Sequence, residues 1–251
     1  MKPQRRGAFS TALLLWLTMG GGSIPAAAQE LVIPDVTYPS LPRQAASADG
    51  FVPRGWILEA QASGDLNRDG VGDLAIVLRQ NDPKNVIENP GLGENPFDTN
   101  PRILAVAFRD GPSGNYVLNV ENHTLIPRRD NPVQADPFGE DHGGIAIRRG
   151  GLEITLHLFM SAGGWGMFTA THKVQYRNGR FELIGYDRSE VHRATGKTKD
   201  VSVNYLTRRM RLSTGHISSD APASVTWKDL ERRAPLTLER LGDGLAFDPD
   251  P

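Results

Sequence analysis

The sequence predicts a mainly β protein: an antiparallel meander of about ten strands, arranged as a sandwich, an open barrel or propeller-like sheets, with little helix. Three observations predict it. Short apolar runs recur at hairpin spacing from residue 55 onward, separated by Gly, Asn, Asp and Pro. The runs alternate with a period of two, so one face is apolar and the other polar. Two of the breaks carry hairpin-turn chemistry, Gly150-Gly151 and Asn178-Gly179, and Asn-Gly is the strongest short-range hairpin signal.

The predicted strands cover 55–61, 73–79, 102–109, 116–120, 144–148, 152–160, 166–177, 180–187, 200–206 and 209–213. Leu152, Ile154, Leu156, Leu158 and Met160 share a face, with Glu153, Thr155 and His157 opposite. On the next strand His172 falls among Phe168, Ala170, Val174 and Tyr176, which marks it as a core histidine. The runs 74–78 and 103–108 are apolar on both faces and read as central strands. Residues 80–101 lack periodicity and form a long loop, functional or disordered. A short helix is expected over 223–230 and a last apolar segment over 236–241.

The amino terminus reads as an export signal. Lys2, Arg5 and Arg6 precede an apolar run from Ala8 to Met19, and small residues follow, ending at Ala26-Ala27-Ala28. Positive start, short apolar stretch and small-x-small cleavage site are the signal-peptide order. The apolar run is shorter than the roughly 20 residues a membrane span needs. The expected organisation is a signal peptide over 1–28, a Pro/Ala-rich linker over 29–50, a single β-rich domain over 51–241 and a flexible tail over 242–251. Removing residues 1–28 of the 251 leaves 223, and removes three basic and no acidic residues, so the net charge moves from −1 to −4. That charge argues against nucleic acid or an anionic membrane as partner. There is no cysteine, so a disulfide cannot fasten the fold and a hydrophobic core or a bound metal must.

One motif carries chemistry. The stretch runs Gly64-Asp65-Leu66-Asn67-Arg68-Asp69-Gly70-Val71-Gly72-Asp73-Leu74. Counted from Asp65, side-chain oxygens stand at positions 1, 3, 5 and 9 (Asp65, Asn67, Asp69, Asp73), with Gly70 at 6 and the Val71 carbonyl at 7. Ca²⁺ takes six to eight oxygen ligands, and alternate donors on a short loop can wrap them around one ion. Gly70 permits the positive φ that such a turn requires. Position 12 is Ile76, where the helix-loop-helix calcium hand requires Glu, and a strand follows rather than a helix. An Asp/Asn-rich turn that needs no ion is the other reading of the same residues.

These residues resemble the FG-GAP/VCBS family of extracellular repeats, whose signature is a Gly-Asp-Leu-Asn-x-Asp-Gly-x-x-Asp-Leu calcium loop leading into a buried strand. The resemblance covers residues 64–74 and the apolar strand after them. It implies calcium binding by Asp65, Asn67, Asp69 and Asp73. Members of the family carry several copies that build a propeller, whereas this chain has one clear copy, and 223 residues are too few for about seven blades. In this respect it resembles small single-copy exported bacterial proteins.

Two further places are candidate ligand contacts. Asp136-Pro137-Phe138-Gly139-Glu140-Asp141-His142 groups three carboxylates and an imidazole, as a second metal or ligand site, an acid–base pair or a solvated acidic turn. Trp165, flanked by glycines between two strands, either stacks on a sugar or peptide or folds back to cap the sheet. The expected function is that of an exported, periplasmic or extracellular, calcium-stabilised β-protein with a binding or structural role in the cell envelope. Its partner would be envelope polysaccharide or protein, with no membrane span after cleavage. The alternatives are an envelope hydrolase using the 136–141 carboxylates under an 80–101 lid, and an inhibitor or immunity-type protein.

Overall fold

Two runs that are apolar on both faces set the centre of the fold, because such a strand must be covered on both sides. They are β3 (Asp73–Gln80) and β6 (Arg102–Arg109), paired antiparallel in the middle of a five-stranded sheet. Its other strands are β1 (Gln44–Ala45), β2 (Trp56–Gly64) and β7 (Tyr116–Asn122), in the order β1-β7-β6-β3-β2. The structure is a computed structural model that describes residues 31–112, 114–139 and 143–250. The expected export signal, 1–28, lies outside them.

A two-stranded hairpin, β4 (Val86–Ile87) and β5 (Phe97–Asp98), sits in the connection between β3 and β6. The rest is one antiparallel meander of seven strands in sequence order. These are β8 (Gly144–Arg148), β9 (Gly151–Leu158), β10 (Gly166–Arg177), β11 (Arg180–His192), β12 (Lys197–Asn204), β13 (Arg209–His216) and β14 (Ser224–Asp229). Of the described residues 47 % are strand and none lies in a helix of seven residues or more, and one sheet curls into a half-barrel. The mainly β antiparallel class read from the sequence is the class of the structure.

The period of two explains the layers. From β3 and β6, Ala75, Val77, Leu104 and Val106 point into one cluster with Leu152, Ile154, Leu156 and Val174 of the meander. Leu74, Ile76, Leu78, Ile103, Ala105 and Ala107 point the other way, into a second cluster. What covers that second face is the segment before β2: Leu41, Ala45, Ala48 and Phe51 are buried there, with Tyr38 packed beside them. Residues 29–50 were expected as a linker; Tyr38, Leu41, Ala45 and Ala48 among them cover a sheet that is apolar on both faces. Likewise, residues 243–250 are no free tail. Leu245 and Phe247 pack on the core, and the Gly244 N–H donates to the Leu125 carbonyl at 3.0 Å.

Three local expectations change. The turn between β8 and β9 is Arg149-Gly150, at φ 53° and 71°, and Gly151 begins β9 opposite Arg148. The pair Asn178-Gly179, at φ 52° and 76°, makes the turn where it was expected. Residues 223–230 are not helical: Val225 and Trp227 alternate with Ser224 and Thr226 in β14, whose ladder with β13 runs from Arg209↔Asp229 to Thr214↔Ser224. Alternating β-branched residues favour that ladder over a helix. Segment 80–101 is built by its amides. Asn85 bonds Gln80 and Asn100, and Asn89 bonds the carbonyls of Leu92 and Glu94.

The cover is testable. Phe51 is fully buried, so Phe51→Ala is expected to cost about 3–5 kcal/mol in urea unfolding. Val32, 78 % exposed, should cost under about 0.5 kcal/mol as Val32→Ala. Equal effects would mean that the segment does not cover the sheet.

Candidate functional site

The 65–73 loop connects β2 to β3 and is anchored by its last residue. Asp73 is fully buried. Its Oδ2 accepts the N–H groups of Leu66 (2.8 Å) and Asn67 (3.3 Å), and its Oδ1 accepts that of Arg109 at the end of β6 (3.0 Å). One carboxylate thus holds the loop, β3 and β6 together. Burial pushes the Asp73 carboxyl up, against the pull of these three N–H donors. Leu66, also fully buried, enters the core shared by the two large sheets.

The other oxygens serve the turn itself. Asp65 accepts from the Arg68 and Gly70 N–H groups, at 2.6 and 3.0 Å, one on each oxygen. Asn67 accepts from the Asp69 N–H and donates through Nδ2 to Asp69, which also accepts from the Val71 N–H. Gly70 has the positive φ expected of it, 84°, and Arg68 has φ 69°. The structure therefore places Asp65, Asn67, Asp69 and Val71 on one short turn, with Asp73 turned inward as its anchor. Among the described residues no group of three or more His, Cys, Asp or Glu is arranged to hold a metal ion.

Asp136 has a different office from the one its neighbours in sequence implied. Its two oxygens receive Nη1 and Nη2 of Arg102, at 2.9 and 2.7 Å, and one also accepts the Phe138 N–H. Burial would raise this carboxyl, but the Arg102 guanidinium outweighs it and holds Asp136 below the usual carboxylate range. A carboxylate so held is a fixed anion, not a proton donor. Glu140, Asp141 and His142 lie outside the described residues.

Trp165 stands out from the loop between β9 and β10, 62 % exposed. It does not fold back as a cap. Arg193 fixes the loop: its Nη2 donates to the carbonyls of Met160 and Gly164, its N–H donates to the Trp165 carbonyl at 2.7 Å, and its guanidinium lies 5.8 Å from the Trp165 ring. The Gly163 φ of 76° permits the turn. The result is an exposed indole on a pinned support. A second exposed indole, Trp227 on β14, is 58 % exposed with the Arg209 guanidinium 4.6 Å from its ring. The sequence reading missed it by taking 223–230 as a helix; the Val225–Trp227 alternation was the available signal.

On the inner face of the meander His172 stands in the core, where the sequence placed it. It is fully buried. Beside it are Tyr186, whose hydroxyl meets the Arg188 side chain, and Arg188, which gives Nη2 to Glu190 at 2.7 Å. Nearby, a cavity of about 280 Å³ is lined by Tyr205, Leu206, Leu230, Leu236 and Phe247.

No helix of the described residues is long and apolar enough to cross a membrane. Comparison with known protein families, with curated proteins and with solved structures finds no match to this chain.

The buried imidazole makes stability depend on pH. Burial lowers His172 from its ordinary 6.5 to about 4. Between those values the unfolded chain binds a proton that the folded chain does not, so stability is lost as pH falls from about 6.5 to about 4. The expected loss is about 3 kcal/mol. Urea unfolding at steps across that window should show it in the wild type and not in His172→Phe; equal slopes in both proteins would refute it.

Proposed function

We propose that this protein is exported and works in the cell envelope by binding polysaccharide, with the 65–73 loop as a calcium-responsive fastening of its β domain. The observation that carries this reading is Trp165: a large apolar ring left in solvent, flanked by Gly163, Gly164 and Gly166, and held by Arg193 rather than by a core. An indole presented in that way offers a flat apolar face at little cost in conformational entropy. The adjacent glycines leave room for a sugar ring to approach. The amino-terminal export pattern supports the address.

Calcium enters through the turn's outer oxygens. Asp69 is exposed and Asp65 and Asn67 are half-buried. Each carboxylate oxygen of Asp65 accepts a single N–H, which leaves it a lone pair for an ion. The donor set is thus hard and anionic, as calcium requires. Asp73 lies outside it, because its oxygens are committed to Leu66, Asn67 and Arg109. Three protein groups with water completing the shell give a modest site, suited to compartments where free calcium is high.

Two experiments test the two halves separately. Co-sedimentation with purified peptidoglycan is expected for the wild type. It should fall roughly fivefold to tenfold for Trp165→Ala, the size of an aromatic contact, with Tm unchanged because the ring is exposed. Undiminished sedimentation by the variant, or none by the wild type, rejects the polysaccharide reading. For calcium, Tm should rise with added Ca²⁺ as linkage requires, and Asp69→Ala should remove the rise. A Tm indifferent to Ca²⁺ and to a chelator would leave the loop a self-sufficient turn.

A further inference from the structure

We propose that the polymer held at Trp165 is a carboxylated polysaccharide, and that Lys197 and Lys199, at the same end of the meander, bind its carboxylates. The proposal rests on the polysaccharide reading of Trp165 and names the class of polymer that reading leaves open.

The register places a row of residues beside the indole. Gly166 of β10 pairs with His192 of β11, His192 with Lys197 of β12, and Lys197 with His216 of β13. Trp165 directly precedes that row, its carbonyl accepting the Arg193 N–H. Directly opposed residues share a face, and three strand spacings of about 4.8 Å make a row about 14 Å long. The next row on the same face, two residues further in, runs Phe168, Glu190, Lys199, Thr214 and Ser224. Farther along, over Tyr186 and Val203, Leu245 and Phe247 pack on this face. At the Trp165 end the cover stops, and Lys197, Lys199, Thr214, His216 and Ser224 are all exposed.

The two cations are what distinguishes these rows. The other lysines of the meander, Lys173 and Lys228, are ion-paired with Asp187 and Asp250. Among the described residues Lys197 and Lys199 have no carboxylate partner. An acid does stand directly opposite Lys199, but it is turned away. The Oε2 of Glu190 accepts from Arg188 Nη2 at 2.7 Å, and its Oε1 lies 3.8 Å from where a Cβ on Gly166 would stand, on the β10 side rather than the β12 side. Lys197 and Lys199 are about 7 Å apart along one strand face and repel each other. The sheet gains nothing from two such charges, and an anion laid across them removes the repulsion.

The imidazoles on either side of Lys197 are held by the turn between β11 and β12. His216 donates Nε2–H to the Thr195 carbonyl at 2.6 Å and accepts the Ser218 N–H on Nδ1 at 3.2 Å. His192 accepts the Thr195 N–H on Nδ1 at 3.3 Å, which leaves Nε2 as a donor. This end of the sheet therefore presents an exposed ring, two cations and a hydrogen-bond donor within one short strip. A sugar chain bearing carboxylates complements each of them: a ring face on the indole, carboxylates on the ammonium groups and a hydroxyl on the imidazole. Ammonium groups on flexible stems tolerate carboxylates at varied spacing. The slightly negative net charge of the chain does not oppose such a local contact, because exposed charges more than about 8 Å apart are largely screened at physiological salt.

The test measures binding of the full chain to polygalacturonate by titration calorimetry. The methyl-esterified polymer of the same backbone is the uncharged control, and Tm is measured for every variant. Wild type is expected to bind the acid form severalfold more tightly than the ester. Lys197→Gln with Lys199→Gln should weaken binding of the acid form about fivefold to tenfold, leave the ester unaffected, and leave Tm unchanged because both side chains are exposed. Arg54→Gln with Lys84→Gln removes the same charge from exposed positions elsewhere and should change neither affinity. Trp165→Ala should weaken both polymers. Equal binding of acid and ester that Trp165→Ala still weakens overturns the carboxylate proposal and leaves the polysaccharide reading standing. No binding of either polymer overturns it too, and peptidoglycan sedimentation then tells whether the polysaccharide reading falls with it. Single-stranded DNA bound as tightly as the acid form, with Trp165→Ala without effect, would make the strip a general polyanion surface and likewise overturns the proposal.

Discussion

The Arg102 guanidinium is the interaction that the two layers of this protein share. It is 4 % exposed and faces two carboxylates, with Nε and Nη2 on Glu59 and Nη1 and Nη2 on Asp136. A cation in that position is tolerable only if it is fully paired, because the cost of removing it from water is several kcal/mol. Arg79 stands directly opposite Arg102 in the β3–β6 ladder, an arrangement that two like charges resist. Glu59 resolves it. It is the extra residue of the β2 bulge between Leu58 and Ala60, and it bonds both cations. The pairing continues from Arg79 to Asp98 of the short hairpin. One chain of alternating charge therefore positions β2, β3, β5, β6 and the segment that leads into the meander. Breaking such a set at one member costs about 3–5 kcal/mol, since the remaining charges stay buried without a partner.

That network also shows where sequence reading stops. Glu59 and Arg102 are 43 residues apart, and Arg102 and Asp136 are 34 apart, so no local spacing records the contact. Asp136 sits beside Glu140, Asp141 and His142 in the sequence and was grouped with them, although its partner is a strand residue of the other sheet. What was legible was local. The period of two and the turn residues placed all ten central strands, because each depends on neighbours within a few positions. The two-faced runs in β3 and β6 also implied a cover on each side. Which residues supply the second cover was not legible, since Leu41, Ala45 and Phe51 stand in a stretch dominated by Pro, Ala and Ser.

The 65–73 loop is legible in two ways for a physical reason. Alternate Asp and Asn oxygens accept N–H groups two to five residues on, and the same alternation wraps a cation. In the folded chain the first use is visible at every member: Asp65 toward Arg68 and Gly70, Asn67 toward Asp69, Asp69 toward Val71. Asp73 separates the two uses most clearly. Its position in the motif marks a ligand, whereas its burial and its three N–H donors make it a joint between the loop and β6. Turn and fold are coupled through that joint, because whatever orders the turn also fixes the start of β3 against the end of β6.

The inner face of the meander poses the converse case, in which a polar ring stands among apolar side chains. His172 lies between Ala170 and Val174 on its strand face and opposite Ile154 of β9. An apolar side chain there would complete the packing without burying a polar group. Burial raises the Tyr186 hydroxyl above its ordinary value, and the Arg188 side chain beside it pulls the other way. Segment 244–250 covers this place with the Phe247 ring, edge-on to His172 and tilted against Tyr186, while Tyr186 itself stands edge-on to the imidazole. A neutral imidazole packs as an aromatic ring does, which is how a histidine comes to stand in this core.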